Sequence, residues 1–342
     1  MLGPPISNFS ASLFTTESAL LWLTLLVCAL LLDLAAGQFL APYLPSVDKV
    51  FRRFANTVIK KLDRPSRTLN ALRLRGVFVT VLVVPAAFFG GTFLNYLTAS
   101  QPYLLLAALV LLIPIIGQKT TLRKIAKTGR DLSHGSPDRT SDPHTLVRAA
   151  GASAALAFAL KLLPRSLWWC LGGFAFLLPH LLLTSFIDGA EKRRSGYTES
   201  PFFSFMSLLH ELSNVPPAFV GALLLAAAHF FLPGTNLWVL KAFDPRQVFL
   251  KGATYGPASR YFPLNVIAVG LNLSVEADIG EKTAGKKISD KTVHWIGPKQ
   301  GRAKLVPADL KQVWLVTLIA LVFYFLIAAM VFLLLLQQGG SG

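Results

Sequence analysis

What this chain of 342 residues lacks, in four long stretches, is charge. Between Ser18 and Leu40 there is one charged residue, Asp33, and between Gly76 and Gln118 there is none. From Leu167 to Ile187, and from Asn214 to Leu240, the only side chains that ionise near neutrality are His180 and His229. A helix needs about 20 apolar residues to cross the roughly 30 Å hydrocarbon core of a bilayer. Such runs, in a chain that is 53% hydrophobic, exclude a soluble domain of ordinary composition.

Cysteine is nearly absent. Cys28 and Cys170 both lie in apolar runs, which excludes a disulfide framework and makes each a small buried hydrophobe. Acids are scarce as well, 17 against 33 basic residues, for a net charge of +16. In a soluble protein that balance suggests nucleic acid, but no nucleic-acid motif accompanies it. Lysine and arginine collect in cytoplasmic loops by the positive-inside rule and by contact with anionic lipid. The expected partners are therefore the lipid bilayer and its anionic headgroups, with a protein partner or a second copy of the chain, and no nucleic acid. No P-loop or nucleophile elbow is present, and no His, Cys, Asp or Glu cluster has metal-ligand spacing. The first apolar run starts late, is long and lacks a basic leader, so it reads as a retained helix rather than a signal peptide. Residues 339–342, Gly-Gly-Ser-Gly, read as an appended linker.

Six crossings are expected, at about 18–40, 76–97, 102–118, 166–187, 215–234 and 312–336. The second and third form a hairpin around Ala99, Ser100, Gln101 and Pro102. With six crossings, the segments 41–76, 118–165 and 241–311 share one side and hold 30 of the 33 basic residues. That side is read as the cytoplasm, at a bacterial inner membrane. The stretch Leu146 to Leu163 is apolar but rich in Ala and Gly. A crossing there would move 241–311 to the other side and spoil the charge split, so it is expected to pack on or dip into the bilayer. The expected class is an all-α polytopic membrane protein with about six transmembrane helices, amphipathic or re-entrant helices and a small cytoplasmic α+β segment. The expected organisation is a membrane domain over 1–240, with an amphipathic helix at 47–64 and a cytoplasmic loop at 118–148. A basic cytoplasmic segment over 241–311 and a last transmembrane helix over 312–338 follow. Within 241–311, Val266 to Val275 reads as a strand, followed by a Gly/Lys-rich loop and Thr292 to Ile296.

Residues 47–64 set Val50, Phe51, Phe54, Val58 and Leu62 at helical spacing, with Arg52, Arg53, Lys60 and Lys61 filling much of the rest. Two readings stay open. One is an interfacial helix with its cations among anionic headgroups; the other is an amphipathic helix packed on the protein's own cytoplasmic domain. Asp33 is the one acid inside a span. An intramembrane carboxylate marks function by default, although one near a helix end also reaches the interface or pairs with a base. His180 and His229 read as hydrogen-bonded packing groups. The run Glu281 to Lys291 reads as a solvated loop.

Several short strings, in order along nearly the whole chain, resemble the CobD/CbiB superfamily of membrane proteins. Its best-known members are adenosylcobinamide-phosphate synthases, and AmpE is a distant relative. The family's opening LLDxxxGDP stands here as LLDLAAGQF, which keeps Leu32, Asp33 and Gly37 and replaces Asp-Pro by Gln38-Phe39. The family's HPV segment is lost at Pro45-Ser46-Val47. Arg73-Leu74-Arg75-Gly76 is similar to the Arg-x-x-Gly that opens its second span. A family RDT is scrambled as Asp138-Arg139-Thr140, and Arg148-Ala149 follows as in the family. Phe186-Ile187-Asp188 looks like the end of its TLD. The family's DDxxNxxPAR looks like His210-Glu211, Asn214 and Pro217-Ala218-Phe219. Ile267 to Leu271 echoes an AMAGAL segment. The closing WIG and PAD are kept as Trp295-Ile296-Gly297 and Pro307-Ala308-Asp309.

The resemblance implies a synthase that joins a corrinoid carboxylate to an amino-alcohol phosphate with ATP and Mg²⁺, chemistry that needs oxygen ligands and phosphate-binding cations. Its implied site residues are Asp33, Asp188, Glu211 and Asn214 as the catalytic set. Arg148, Trp295 and Gly297 form a weaker cofactor-binding set; apart from the resemblance, the amphipathic spacing of 47–64 assigns Arg52, Arg53, Lys60 and Lys61 to the membrane interface. Two departures argue against that reaction. The family's acidic helix, E-x-x-x-E-N-x-x-D, corresponds to Ala152 to Leu160, which holds no acid or amide, and its PAR arginine is Phe219. The leading expectation is a catalytically degenerate membrane protein acting as an accessory or interaction subunit, with no cofactor. The alternative is an active Mg-ATP-dependent amide ligase of cobalamin biosynthesis. A transporter is third, since the spans hold few polar groups to line a path.

Overall fold

Of the described residues, 86% are helical, as long apolar runs without a period-2 pattern require. The computed structural model describes residues 16–40, 43, 46–64, 66–101, 103–117, 123, 126–127, 129–130, 143–191, 200–235, 237–243, 257–276 and 295–339. In chain order the helices are α1 (Thr16–Leu40), α2 (Val47–Leu62), α3 (Leu69–Ser100) and α4 (Tyr103–Ile116). Next come α5 (Pro143–Leu156), a π segment (Ala157–Leu162), α6 (Leu163–Gly172) and α7 (Phe174–Glu191). A 3₁₀ turn (Pro201–Phe203) leads into α8 (Ser204–His229), and a second one spans Leu237–Phe243. The last elements are α9 (Ala258–Gly270), β1 (Val275–Glu276), β2 (Trp295–Ile296) and α10 (Pro307–Gly339).

Five helical stretches are long and apolar enough to cross a membrane: Ser18–Gly37, Leu69–Ser100, His144–Gly172, Pro201–His229 and Pro307–Gln337. Apolar side chains stand exposed along two of them, Phe78, Leu82, Phe89 and Phe93 on α3 and Leu326, Met330 and Leu333 on α10. Faces of that kind suit lipid and not water. Three details differ from the six expected crossings. The third is the 14-residue α4, about 21 Å long and short of a full span. The fourth, 166–187, is broken at Gly173, whose φ is +58°. Trp168 lies 6.0 Å from Phe176 and 6.4 Å from His180 between ring centroids. A straight helix would set residues 168 and 180 roughly 18 Å apart, so the chain bends sharply there. The Ala/Gly-rich stretch 146–163, expected not to cross, belongs to the continuous helical run His144–Gly172 that is itself of spanning length.

The chain forms two compact units. The first comprises residues 1–117, 165–210 and 325–342. Its core joins α2, α3, α7 and the first 3₁₀ turn through Ile59, Leu72, Val79, Leu183, Phe186 and Phe202. Glycines let backbones touch: a Cβ on Gly76 would land on the Phe202 carbonyl, and one on Gly91 on the Phe174 carbonyl. Small residues at such crossings are how helices associate where lipid removes the hydrophobic drive.

The amphipathic helix α2 has Asp48 in its first turn and Lys60 and Lys61 in its last, which suits its dipole. Its buried face is rotated from the expected one. Ala55 and Ile59 are fully buried, while Val50 and Phe54 are 63% and 45% exposed. It packs on α7, with Phe51, Val58 and Leu62 against that core. Arg53, Lys60 and Lys61 are exposed and Arg52 is half-buried.

The second unit comprises residues 118–164 and 211–324. Its centre is α9, where Tyr261 to Ala268 are all buried. The strand expected over Val266–Val275 is a correction. Residues 266–270 are the end of α9, Leu273 makes an isolated bridge with Arg302, and Val275–Glu276 pairs antiparallel with Trp295–Ile296. A helix buried on every side loses its 3.6-residue signature, and a short β-branched run then reads as a strand. The α+β expectation thus reduces, among the described residues, to one two-residue ladder and one isolated bridge. Asp138-Arg139-Thr140 and the run 281–291 lie outside the described residues.

Candidate functional site

The first unit holds Asp33 and Asp188. Asp33 is 2% exposed, and a Cβ on Gly37, one turn on, would meet its Oδ1 at 2.6 Å; the glycine therefore makes room for the carboxylate. Asp188 is exposed near the end of α7. The same unit holds a polar cluster that sequence reasoning missed. Arg165, at the start of α6, is 6% exposed. Its guanidinium donates to the Ile115 carbonyl in the last turn of α4 and to Asp48 Oδ2 at 3.1 Å. A cation on a helix C-terminus and an acid in a helix first turn each meet the favourable end of a dipole. One buried arginine thus joins α2, α4 and α6. His180 also has company: its ring stacks on His210 at 6.4 Å and 8°. Arg165 counted as one more loop cation in the charge tally, and only the fold reveals its partners.

The amide Asn95, also overlooked, sits at the bend. Its Nδ2 donates to Gly172 O at 2.8 Å, and its Oδ1 accepts from Phe174 N at 2.9 Å. It therefore satisfies the last carbonyl of α6 and the first N–H of α7, groups that a helix break leaves without partners. Trp169 Nε1 donates to Trp22 O at 2.7 Å beside it.

The second unit holds Glu211 and Asn214, one turn apart on α8, and Asn214 is buried. Glu211 is committed to a structural task. Its Oε1 accepts from Ser259 N at 2.7 Å and its Oε2 from Ser259 Oγ at 2.6 Å. Ser259 is in the first turn of α9, so the carboxylate caps that helix from outside, with the charge favoured by the dipole. The four catalytic candidates are thus divided, two in each unit.

The weaker set comes together in this unit. The Arg148 guanidinium carbon lies 5.2 Å over the Trp295 ring. Arg148 also donates to Ala303 O at 2.8 Å and to Thr145 Oγ1 at 2.9 Å. Gly297 has φ +135°, and a Cβ there would strike the Leu273 carbonyl, so only glycine fits. In the kept PAD, Pro307 opens α10 and Asp309 Oδ2 accepts from Val306 N at 2.9 Å, while Oδ1 accepts from Arg302 at 2.8 Å. That is a helix start closed by its own third residue.

Among the described residues, the positions considered for an Mg-nucleotide offer no set of ligands for it. Ala152, Ala154, Ala155, Phe158 and Ala159 are buried. Phe219 is 40% exposed and packs one side against aromatic rings, 5.6 Å from Phe243 and 5.5 Å from Phe262. Among the described residues no three His, Cys, Asp or Glu side chains converge. A surface cavity of about 580 Å³ is lined by Thr235, Gly270, Asn272, Lys299 and Gln300, and none of the candidates lines it. Comparison with family models, with curated proteins and with solved structures finds no match to this chain.

Proposed function

We propose that this chain is a divergent, catalytically degenerate protein on the CobD/CbiB plan, an accessory or interaction subunit of the bacterial inner membrane. One observation carries the reading. The strings kept from the resemblance do architectural work, and the strings lost are filled with apolar packing. Gly297 and Asp309 shape a turn and a helix start, Glu211 caps α9, and Ala152, Ala154, Ala155, Phe158 and Ala159 are buried as packing groups, while Phe219 is 40% exposed with one side against aromatic rings. A carboxylate that accepts from an N–H and a hydroxyl has less capacity left for a metal or a proton in transit. On this reading the partners are lipid and another polypeptide. The ligase alternative keeps Asp33, Asp188, Glu211 and Asn214 as its polar set and takes Mg-ATP.

The two readings differ on Glu211. If it is a cap, Glu211→Ala lowers stability by about 1–3 kcal/mol, the worth of hydrogen bonds to a charged group, and Glu211→Gln, which keeps an acceptor, loses less. Thermal melting of the purified chain in detergent measures both. An unchanged melting temperature in Glu211→Ala removes the support for a structural role.

A further inference from the structure

We propose that the second unit carries a binding groove for the headgroup of an anionic phospholipid, between Gly129–Arg130 and the first two turns of α10. The cavity there is about 400 Å³, and its wall is mainly apolar, large enough for a phosphoglycerol group and the root of its chains. Pro307, Leu310, Lys311 and Trp314 follow one face of α10, at i, i+3, i+4 and i+7. Leu310 is buried, Trp314 half-buried and Lys311 exposed. Helical Arg130 faces the same groove from the other wall.

Three observations select the occupant. Charge is the first: the groove presents two cations, and among the described residues that line it none is acidic. Neither Arg130 nor Lys311 has a hydrogen-bond or ion-pair partner among the described residues. Depth is the second. Pro307 begins a stretch long and apolar enough to cross a membrane, and Trp314 lies roughly 10 Å along it. Tryptophan and a snorkelling lysine at that depth mark the headgroup layer. Space is the third. A Cβ on Gly129 would meet Leu310 at an ordinary 3.5 Å, so it is the absence of any longer side chain there that leaves the groove open. Basic pockets beside transmembrane helices suit phosphate headgroups. The apolar wall then receives the acyl chains, which a soluble phosphate lacks. The inference needs only that α10 crosses a membrane and is independent of the degenerate-scaffold reading.

The test is native mass spectrometry and thermal melting of the full chain in detergent, with phosphatidylglycerol, phosphatidylcholine or inorganic phosphate added. Phosphatidylglycerol should stay bound and raise the melting temperature, and the other two should not. Arg130→Gln with Lys311→Gln should weaken phosphatidylglycerol roughly thirty-fold, from the usual contribution of two basic residues near an anionic surface. Gly129→Met, which removes no charge, should weaken it too while melting normally in lipid-free detergent. Equal binding of both lipids, or wild-type affinity after the charges are removed, overturns the proposal. So does phosphate alone reproducing the shift, which would make this a soluble-anion site. If the double variant fails to fold, the three-ligand comparison on the unaltered chain and the Gly129→Met result still decide.

Discussion

Asn95→Leu is expected to be the most damaging polar substitution in the first unit. Its amide answers Gly172 O and Phe174 N on the two sides of the Gly173 bend. Side-chain hydrogen bonds between membrane helices average only about 0.6 kcal/mol, because the alternative state finds other partners. Here the partners are backbone groups at a helix break, which have no intrahelical substitute. Leaving each unmet costs roughly 1–3 kcal/mol, so the pair costs about 2–6 kcal/mol. That is a large share of a typical domain's stability. Fluorescence-detected size exclusion and melting in detergent should show aggregated or sharply destabilised protein. Asn95→Asp, which keeps the acceptor for Phe174 N but loses the donor to Gly172 O, should fall between the two. A variant with leucine that melts like the unaltered chain would mean that the bend stands without the amide.

Gly91→Val is expected to have a comparable effect, for a steric reason. A Cβ on Gly91 would overlap the Phe174 carbonyl and come within 2.7 Å of Ala175 Cα. These are backbone atoms, so no rotamer change relieves the clash and α3 must move away from α7. Overpacking in a core typically costs 1–3 kcal/mol, and separating two long helices places this case at the top of that range or above it. Gly90 supplies the control one residue away, since nothing lies within 4 Å of a Cβ there. Gly90→Ala should be neutral or stabilising by roughly 0.5–1 kcal/mol, the usual gain in a helix interior. Equal melting temperatures for Gly90→Ala and Gly91→Val would contradict the close crossing of α3 on α7.

Absent charge made the long apolar helices legible, because charged side chains within a bilayer are costly and therefore rare. Where a helix bends or stops was less legible. Gly172-Gly173 stood inside an uncharged run, and hydropathy does not report the sign of φ. The phase of α2 was offset because Ala55, too small to weigh in a hydrophobic stripe, is what lets it sit close to its neighbour. α9 was misread as a strand for the opposite reason: buried all round, it has no polar face to reveal its period. The candidate residues were legible as chemical types but not as tasks. Glu211 finds its partner in Ser259, 48 residues away, and Arg165 finds Asp48 at 117. Those distances are set by the fold, and no local spacing encodes them.

The proposed reading is a degenerate scaffold in which Glu211 and Asp309 hold structure and the stretch 152–160 and Phe219 supply no ligand for a nucleotide. Isothermal titration of the purified full chain with Mg-ATP, and with a non-hydrolysable analogue, tests it most directly. Mg²⁺ on a nucleotide needs one or two carboxylates beside the phosphate oxygens, and a bidentate arginine is a strong phosphate clamp. With Ala152–Leu160 apolar and Phe219 among aromatic rings, no saturable heat is predicted below roughly 1 mM, the upper end of common KM values. Saturable binding of Mg-ATP below that concentration would contradict the account and make the ligase the better reading.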